Sequence, residues 1–287
     1  MPAPFVKDLC LYRSDGKPNT CDASDKLSVE VGHALFDAIG VSMTSAGDEP
    51  TGAQLSKKVA ADLLGRVSAA DSSAVVRPEQ RLNVFEQYLH VGALRDVKPG
   101  RSKEFDAAWN RLSTYVRKKT ASGDSSRLEA LIAGVETVID REAEDLRLLL
   151  DQVGDESLLG LDVTVSRPGA RKAPILEVAL SLKWSLRTDR AQDCRTQGAK
   201  MAALRRGRMP HFGVVTMEPR PYYLNLVAGG SGDVDCAYVL DLPSLTQAVD
   251  QVYRTRQRAK GRDLFHRLVD QQRIRDYDDL VAAVDTL

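Results

Sequence analysis

The chain begins with a polar, turn-rich arm over residues 1–26 and then changes to a helical pattern of apolar positions. From Leu27 to Ile39 apolar residues recur at three- and four-residue intervals, which predicts an amphipathic helix. Similar patterns predict four more helices, over residues 54–67, 79–94, 103–119 and 125–151. We therefore expect the arm to lie outside the core and residues 27–157 to be mainly helical.

From residue 158 onwards the pattern indicates strands. Residues from 158 predict a strand that ends at Pro168-Gly169, and residues 175–186 alternate between apolar and polar positions as a second, longer strand, which together predict an antiparallel hairpin. A helix is predicted over 189–206 because its apolar spacing is again helical. Three further strands are predicted from the runs FGVVTM (212–217), YYLNLVA (222–228) and DCAYVLDL (235–242).

The order of these patterns predicts one α/β domain over residues 1–287, because no linker separates the helical half from the strands. We expect the core at 158–250 and a helical C-terminal segment at 251–287. The composition, with 43% hydrophobic and 28% charged residues, is typical of a globular protein.

Charge and cysteine content narrow the possible functions. The 40 Lys and Arg residues balance 40 Asp and Glu residues, so a polyanion can bind only at a local patch. The cysteines form no Cys-x-x-Cys pair and the N-terminal residues lack the apolar run of a signal peptide, so we expect a cytoplasmic protein. No apolar run approaches the ~18 residues of a membrane span, and we expect no membrane partner.

Several common motifs are missing from the sequence. The glycine-rich stretch 229–232 lacks the Lys-Ser/Thr of a phosphate loop, and Gly-x-Ser-x-Gly does not occur. The four histidines form no close-spaced pair. Nucleotide, serine-hydrolase and zinc sites are therefore disfavoured.

Asp162 and Lys183 are the first candidates for chemistry. Asp162 lies inside the first strand of the predicted hairpin and Lys183 ends the second, so antiparallel pairing can bring both side chains to one edge of the sheet. Ser181 faces the same side as Lys183. Magnesium-assisted hydrolysis of a phosphodiester needs such a pair, in which the carboxylate binds the metal and the ammonium stabilises the developing charge. The alternative is a surface ion pair.

A local excess of positive charge follows Lys183. Residues 183–208 contain eight basic and two acidic side chains, which is typical of a polyanion-binding patch. Within it, Arg187, Asp189 and Arg190 lie where a strand becomes a helix, and a helix N-terminus can enter a major groove. Arginine can read guanine and aspartate can read cytosine, so the run suits G·C pairs. The alternative is a solvated helix start with Asp189 as its cap.

Three segments together resemble a known family: SLKWSLRTDRAQ (181–192), GRMPHFGVVTMEPRP (207–221) and SGDVDCAYV (231–239). They are similar to the NgoMIV-type restriction endonucleases of the CCGG-recognising group. The resemblance implies a restriction-endonuclease-like PD-(D/E)xK core, with a mixed central sheet flanked by helices. It also implies Mg²⁺-dependent cleavage of double-stranded DNA by a homodimer or a dimer of dimers.

The resemblance also assigns roles to residues of the catalytic core. Asp162 takes the position of the metal-binding aspartate and Lys183 that of the catalytic lysine. Ser181 stands where the better-known motif has an acid.

DNA-reading roles follow from the same resemblance. Arg187, Asp189 and Arg190 match the family's CCGG-reading motif. Asp22 and Ser24 match an Asp-x-Ser pattern that helps to read the outer G·C pair of GCCGGC.

The sequence departs from the family at two metal-site acids. Gln197 replaces the glutamate that follows the lysine by fourteen residues, and Ser56 replaces a second glutamate. Asp193 lies one helical turn before Gln197 and is the candidate substitute as a metal ligand, with a solvated partner of the neighbouring arginines as the alternative. Tyr223 stands where the arginine for the outer base is expected, and Arg220 is nearby.

Two hypotheses follow from these residues. The leading one is a type II restriction endonuclease that cuts within a CCGG-centred palindrome, GCCGGC. The other is a sequence-specific DNA-binding relative that has lost cleavage, because only the enzyme needs a complete metal site. A small-molecule α/β enzyme would need a cofactor motif that the sequence lacks.

Overall fold

A computed structural model describes residues 2–69, 73–92, 100–153, 159–170, 172–230, 232–255 and 257–287. The chain divides into two compact units. The first comprises Met1–Leu89 and Leu159–Leu287, and the second comprises His90–Leu158.

The first unit is built on a six-stranded mixed sheet. The strands, in sheet order and chain order alike, are β1 (Val75–Arg81), β2 (Gly160–Arg167), β3 (Ile175–Lys183), β4 (His211–Thr216), β5 (Cys236–Val239) and β6 (Ile274–Asp276). β1, β2 and β3 pair antiparallel, whereas β3 to β6 are parallel. The predicted hairpin of β2 and β3 and the predicted α/β fold with a mixed sheet are confirmed.

The helices are α1 (Val6–Leu9), α2 (Lys26–Ile39), α3 (Gly52–Ala69), α4 (Leu89–Gly92), α5 (Lys103–Lys119), α6 (Ser125–Val153), α7 (Thr188–Leu204), α8 (Pro221–Ala228), α9 (Leu242–Val252), α10 (Ala259–Asp270) and α11 (Tyr277–Asp285). Short 3₁₀ turns lie at Leu82–Val84, Glu86–Tyr88 and Ser122–Asp124. None of the helices in the described ranges is long and apolar enough to cross a membrane.

β3 and β4 form the buried centre of the sheet. Both strands are buried along almost their whole length, including Glu177 and Ser181 of β3, so the alternation predicted for residues 175–186 does not mark a solvent-exposed face. At Gly213 an added Cβ would lie 2.8 Å from the Tyr238 ring, so the glycine lets that ring lie against β4. At Gly198 an added Cβ would lie 1.7 Å from the Asp233 carbonyl oxygen, so the backbone of α7 lies directly against the segment before β5.

The prediction of a helix over residues 79–94 is wrong. Residues up to Arg81 belong to β1, which pairs with β2 through contacts such as Val76 with Val165, and two 3₁₀ turns follow. Leu82 and Phe85 are both buried, and their three-residue spacing suits 3₁₀ turns as well as an α-helix. Pro78 is tolerated because β1 is the edge strand of the sheet.

The strand predicted over 222–228 is also wrong, because these residues form α8. Pro221 occupies the first turn, where its missing N–H costs nothing. Leu224, Val227 and Ala228 are buried at helical spacing. Short apolar runs fit either period, and here the proline decides for the helix.

Both ends of the chain enter the core more deeply than predicted. In the arm, Phe5, Val6 and Tyr12 are buried, and the Ala3 N–H donates to the Leu240 carbonyl at 2.8 Å. The C-terminal segment, predicted as helical only, contributes β6 beside β5. Long-range pairing of this kind leaves little trace in a local pattern.

The described part of the second unit contains helices α5 and α6, whose predicted ranges are confirmed to within two residues. Ser102 caps α5 by accepting from the Phe105 N–H at 3.0 Å. Between the helices, Trp109 Nε1 donates to Glu136 Oε1 at 2.9 Å.

Candidate active site

Asp162, Ser181 and Lys183 lie near one end of β3, and we call them, together with Gln197 of the adjacent helix α7, the lysine cluster. Asp162 Oδ2 accepts from the Leu182 N–H at 2.6 Å, so its carboxylate reaches across to the end of β3. Lys183 is the last residue of β3 and lies opposite Thr216, the last residue of β4. Antiparallel pairing of β2 with β3 therefore places Asp162 at the strand end that carries Lys183.

Helix α7 packs over this end of the sheet. Cys194 Sγ lies 3.6 Å from Ser181 Oγ, and both residues are buried. Burial raises the pKa of the Cys194 thiol, and the charges of Lys183, Asp162 and Asp193 act on it as well. The three charged groups therefore lie in the neighbourhood of the Cys194 thiol.

Gln197 lies one turn beyond Cys194 on α7. Its Oε1 is buried and has no hydrogen-bond partner within the described residues. A buried acceptor without a partner costs about 1–3 kcal/mol, a cost that a cation or an ordered water offsets. An oxygen of this kind suits a ligand from outside the protein.

Two oxygen donors of the lysine cluster have the chemistry that a divalent cation of low ligand charge requires. Mg²⁺ is bound through oxygen, commonly by one or two carboxylates, and keeps several waters. Asp162 supplies a carboxylate and Gln197 an amide oxygen. Across the described parts of the chain, no three His, Cys, Asp or Glu side chains converge to hold a metal ion. Ser56, on α3, is 3% exposed and adds no charge.

Asp193 is exposed and makes no hydrogen bond or ion pair within the described residues. The arginines that were its alternative partners are engaged elsewhere. Arg190 pairs with Glu49, and Arg195 lies 3.7 Å from Asp233. The carboxylate of Asp193 is therefore not used by the protein itself.

Arg187 and Asp189 begin helix α7. Arg187 is the N-cap residue, and no side chain caps the helix, so the alternative role of Asp189 as a cap is excluded. Both side chains are exposed. They project from the helix N-terminus that follows β3 directly.

Arg190 is held by a residue that the sequence pattern did not reveal. Its Nη1 donates to Glu49 Oε1 at 2.6 Å, and to the Ser185 carbonyl and hydroxyl at 3.2 and 3.1 Å. Ser185 Oγ also donates to Glu49 Oε1, at 3.1 Å. Glu49 lies in the loop between α2 and α3, far from Arg190 in the chain, so only the folded structure connects them.

Glu218 and Arg220 form a buried pair that contacts the backbone of Leu186. Arg220 Nε donates to Glu218 Oε1 at 2.6 Å. The guanidinium carbon of Arg220 lies 3.7 Å from the centroid of the Tyr223 ring. Leu186 is fixed from both sides, since its N–H donates to Glu218 at 2.7 Å and its carbonyl accepts from Arg220 at 2.8 Å. Burial raises the pKa of Glu218, and the hydrogen bonds from Arg220 oppose that shift.

Arg220 also joins the N-terminal arm to this region. Its Nη1 lies 3.4 Å from Asp22 Oδ2, while Asp22 Oδ1 accepts from the N–H and hydroxyl of Ser24 at 3.0 and 2.7 Å. The hydrogen bonds from Ser24, together with the charges of Arg220 and Arg187, lower the pKa of Asp22. The structure thus brings the predicted residues Asp22, Ser24 and Arg187 into one region, which we call the arginine cluster. Its members are Asp22, Ser24, Glu49, Arg187, Asp189, Arg190, Glu218 and Arg220.

The six-stranded mixed sheet with flanking helices is that of a restriction-endonuclease-like fold. The chain belongs to the NgoMIV restriction enzyme family, whose family model matches residues 12–285. It is 37% identical over 114 residues to the type II restriction enzyme NgoMIV of Neisseria gonorrhoeae. That match covers 40% of this chain and 38% of the relative, so the chain matches about two fifths of the relative's length.

Proposed function

We propose that the protein is a type II restriction endonuclease that uses Mg²⁺ to hydrolyse double-stranded DNA within a CCGG-centred palindrome, GCCGGC. One observation carries the proposal. The β3–α7 junction presents Lys183 and, within a few residues, Arg187, Asp189 and Arg190. A group suited to phosphodiester chemistry and groups suited to reading G·C pairs therefore share one rigid junction.

The lysine cluster supplies the cleaving groups. Asp162 and Gln197 would hold Mg²⁺, with Asp193 as a further ligand, and a bound divalent cation lowers the pKa of water and screens phosphate charge. Lys183 stabilises the negative charge that grows on the phosphate oxygens. Ser181, buried below Lys183, keeps this strand end packed against Cys194.

The arginine cluster supplies the reading groups. Arg187 and Arg190 bond guanine in the major groove, and Asp189 accepts from cytosine N4. Asp22 and Ser24 read the outer G·C pair, with Arg220 holding Asp22 in place. A palindrome presents the same bases twice, so we propose a homodimer, with a dimer of dimers as a larger assembly, acting on DNA in the cytoplasm.

The second candidate is a sequence-specific DNA-binding relative without cleavage. It is favoured by the small carboxylate count of the lysine cluster, in which Gln197 stands where the family has a glutamate, and by Ser56, which stands at the position of a second family glutamate. Such a protein would retain the arginine cluster and lose only the chemistry.

Digestion of plasmid DNA with purified protein and Mg²⁺ or Mn²⁺, followed by sequencing of the ends, tests the two candidates. We expect cuts inside GCCGGC that Lys183→Ala removes. Specific binding without cuts at any metal concentration would favour the second candidate. If the protein neither cleaves DNA nor prefers CCGG-containing DNA, both candidate functions are overturned.

A further inference from the structure

We propose that Glu49 is a positioning residue that determines which edge of the Arg190 guanidinium reads guanine. The inference rests on the proposed reading role of Arg190. It concerns the loop between α2 and α3, which contributes no other residue to the arginine cluster.

All three hydrogen bonds of Arg190 use the same nitrogen. Nη1 donates to Glu49 Oε1, to the Ser185 carbonyl and to the Ser185 hydroxyl. A guanidinium can offer two parallel N–H groups either from its end, through Nη1 and Nη2, or from its side, through Nε and Nη2. With Nη1 engaged, the side edge is the one that can bond guanine O6 and N7 together.

The anchor that engages Nη1 is partly buried and held by several hydrogen bonds. Ser185 is only 8% exposed and binds the same carboxylate oxygen of Glu49 as Arg190 does. Glu49 and Arg190 are themselves partly shielded, with side chains 26% and 33% exposed. A charge-assisted bond at 2.6 Å in such surroundings restricts both the rotamer and the roll of the guanidinium.

A different role for Glu49 predicts the opposite result. If the carboxylate merely occupied Arg190 until DNA displaced it, its removal would free the arginine and tighten binding. If Glu49 positions Arg190, the bond persists in the complex and its removal loosens the contact with guanine. The direction of the change therefore separates positioning from inhibition.

The test is binding, measured by fluorescence anisotropy with Ca²⁺ as the divalent cation. The two probes are a GCCGGC duplex and the same duplex with 7-deazaguanine, which lacks the N7 acceptor, at the guanine that Arg190 reads. Wild type should prefer natural guanine by about five- to 150-fold, the range for a bidentate contact. Glu49→Ala should lose most of that preference, and Glu49→Gln should lose less because it keeps the size and an acceptor oxygen.

Glu30→Ala is the matched control. Glu30 pairs with Arg258 on the surface, so this change alters net charge equally without touching Arg190. Adding Glu49→Ala to Arg190→Ala should cost no further preference, because the glutamate acts through the arginine. Thermal melts identify any variant that has failed to fold. If Glu49→Ala fails to fold, the binding preference of Glu49→Gln is compared with wild type instead.

The outcomes separate the inference from the function on which it rests. If Arg190→Ala retains the preference for natural guanine, the proposed reading role fails and the inference fails with it. If Arg190→Ala loses the preference but both Glu49 variants keep it, only the inference fails. Tighter binding of Glu49→Ala to both probes, beyond the effect of Glu30→Ala, would also overturn it.

Discussion

The arginine cluster and the lysine cluster lie at the same β3–α7 junction, yet they are built differently. In the arginine cluster Glu218 is fully buried, Arg220 bonds to three other residues, and Arg190 is anchored through Glu49. In the lysine cluster Asp162 accepts a single hydrogen bond. Within the described residues Lys183 makes no ion pair and Gln197 Oε1 has no partner.

This difference distinguishes groups that the protein orients by itself from groups that external ligands must complete. Reading a base demands fixed donor directions before DNA arrives, because side chains ordered in advance lose less entropy on binding. A cleavage site is completed by the cation, the water and the scissile phosphate. DNA recognition should therefore depend on contacts within the protein. Cleavage should depend on the charge of the side chains that face the cation and the phosphate.

Removing the lysine should have the largest effect. We expect Lys183→Ala to lower the cleavage rate by at least about 10²–10³-fold, because the ammonium acts on charge that develops in the transition state. Specific binding should stay within about tenfold of wild type. Single-turnover cleavage and equilibrium binding measure the two quantities. Equal losses in both would remove the distinction between the clusters.

Breaking the buried pair should mainly reduce stability. Glu218→Gln leaves the guanidinium of Arg220 buried without its closest countercharge, and we expect a loss of about 3 kcal/mol in the free energy of unfolding. Urea denaturation measures it. Glu30→Gln, in an exposed pair with Arg258, should cost about 0–1 kcal/mol. Similar losses in the two variants would show that the arginine cluster is no more tightly built than the surface.

Removing a reading arginine should reduce specificity. Arg190→Ala should cost about 1–3 kcal/mol of binding per guanine contact, and more in a symmetric dimer that uses the residue twice. Competition between CCGG-containing and scrambled duplexes measures the effect. An unchanged preference would exclude Arg190 as a reader.

Restoring charge to the lysine cluster should improve metal use. We expect Gln197→Glu to lower the Mg²⁺ concentration for half-maximal cleavage by about tenfold, because a carboxylate replaces a neutral oxygen. Asp193→Asn should abolish metal-dependent cleavage, and Gln197→Glu added to it should restore part of the activity. Metal titrations of the three variants provide the comparison. Undiminished activity in Asp193→Asn would remove that residue from the site.

The smallest effect is expected outside both clusters. Arg205 and Arg206 are exposed just after α7, and we expect either alanine variant to weaken binding to all duplexes alike. Removing one arginine that binds a phosphate should reduce the salt dependence of binding by about one unit of slope. Salt titrations with specific and scrambled DNA measure it. A selective loss for CCGG would place these arginines among the reading groups.

The elements predicted from sequence were those with strong local patterns. The hairpin, α7 and the long helices α5 and α6 have apolar spacing that fits one period only. β1 was missed because its stability comes from pairing with β2, and the mostly polar segment VVRPEQR is a weak strand by itself. α8 was missed because a run of seven mostly apolar residues fits either period.

The same distinction applies to the candidate site. Arg187, Asp189 and Arg190 are adjacent in the chain, so a motif can reveal them. Glu49 lies 141 residues from Arg190, and no spacing rule connects the two. Glu218 and Arg220 fall inside the segment GRMPHFGVVTMEPRP, but their role depends on burial, which a sequence does not display.

The close approach at Gly198 has a consequence for how this site can change over time. Because the backbone of α7 lies against the Asp233 carbonyl, the helix cannot slide or turn to bring another residue over the strand ends. Position 197 therefore has a fixed place relative to the strand ends. Glutamine and glutamate codons differ by a single nucleotide. Two forms of this site that differ by one carboxylate are therefore separated by a single mutation.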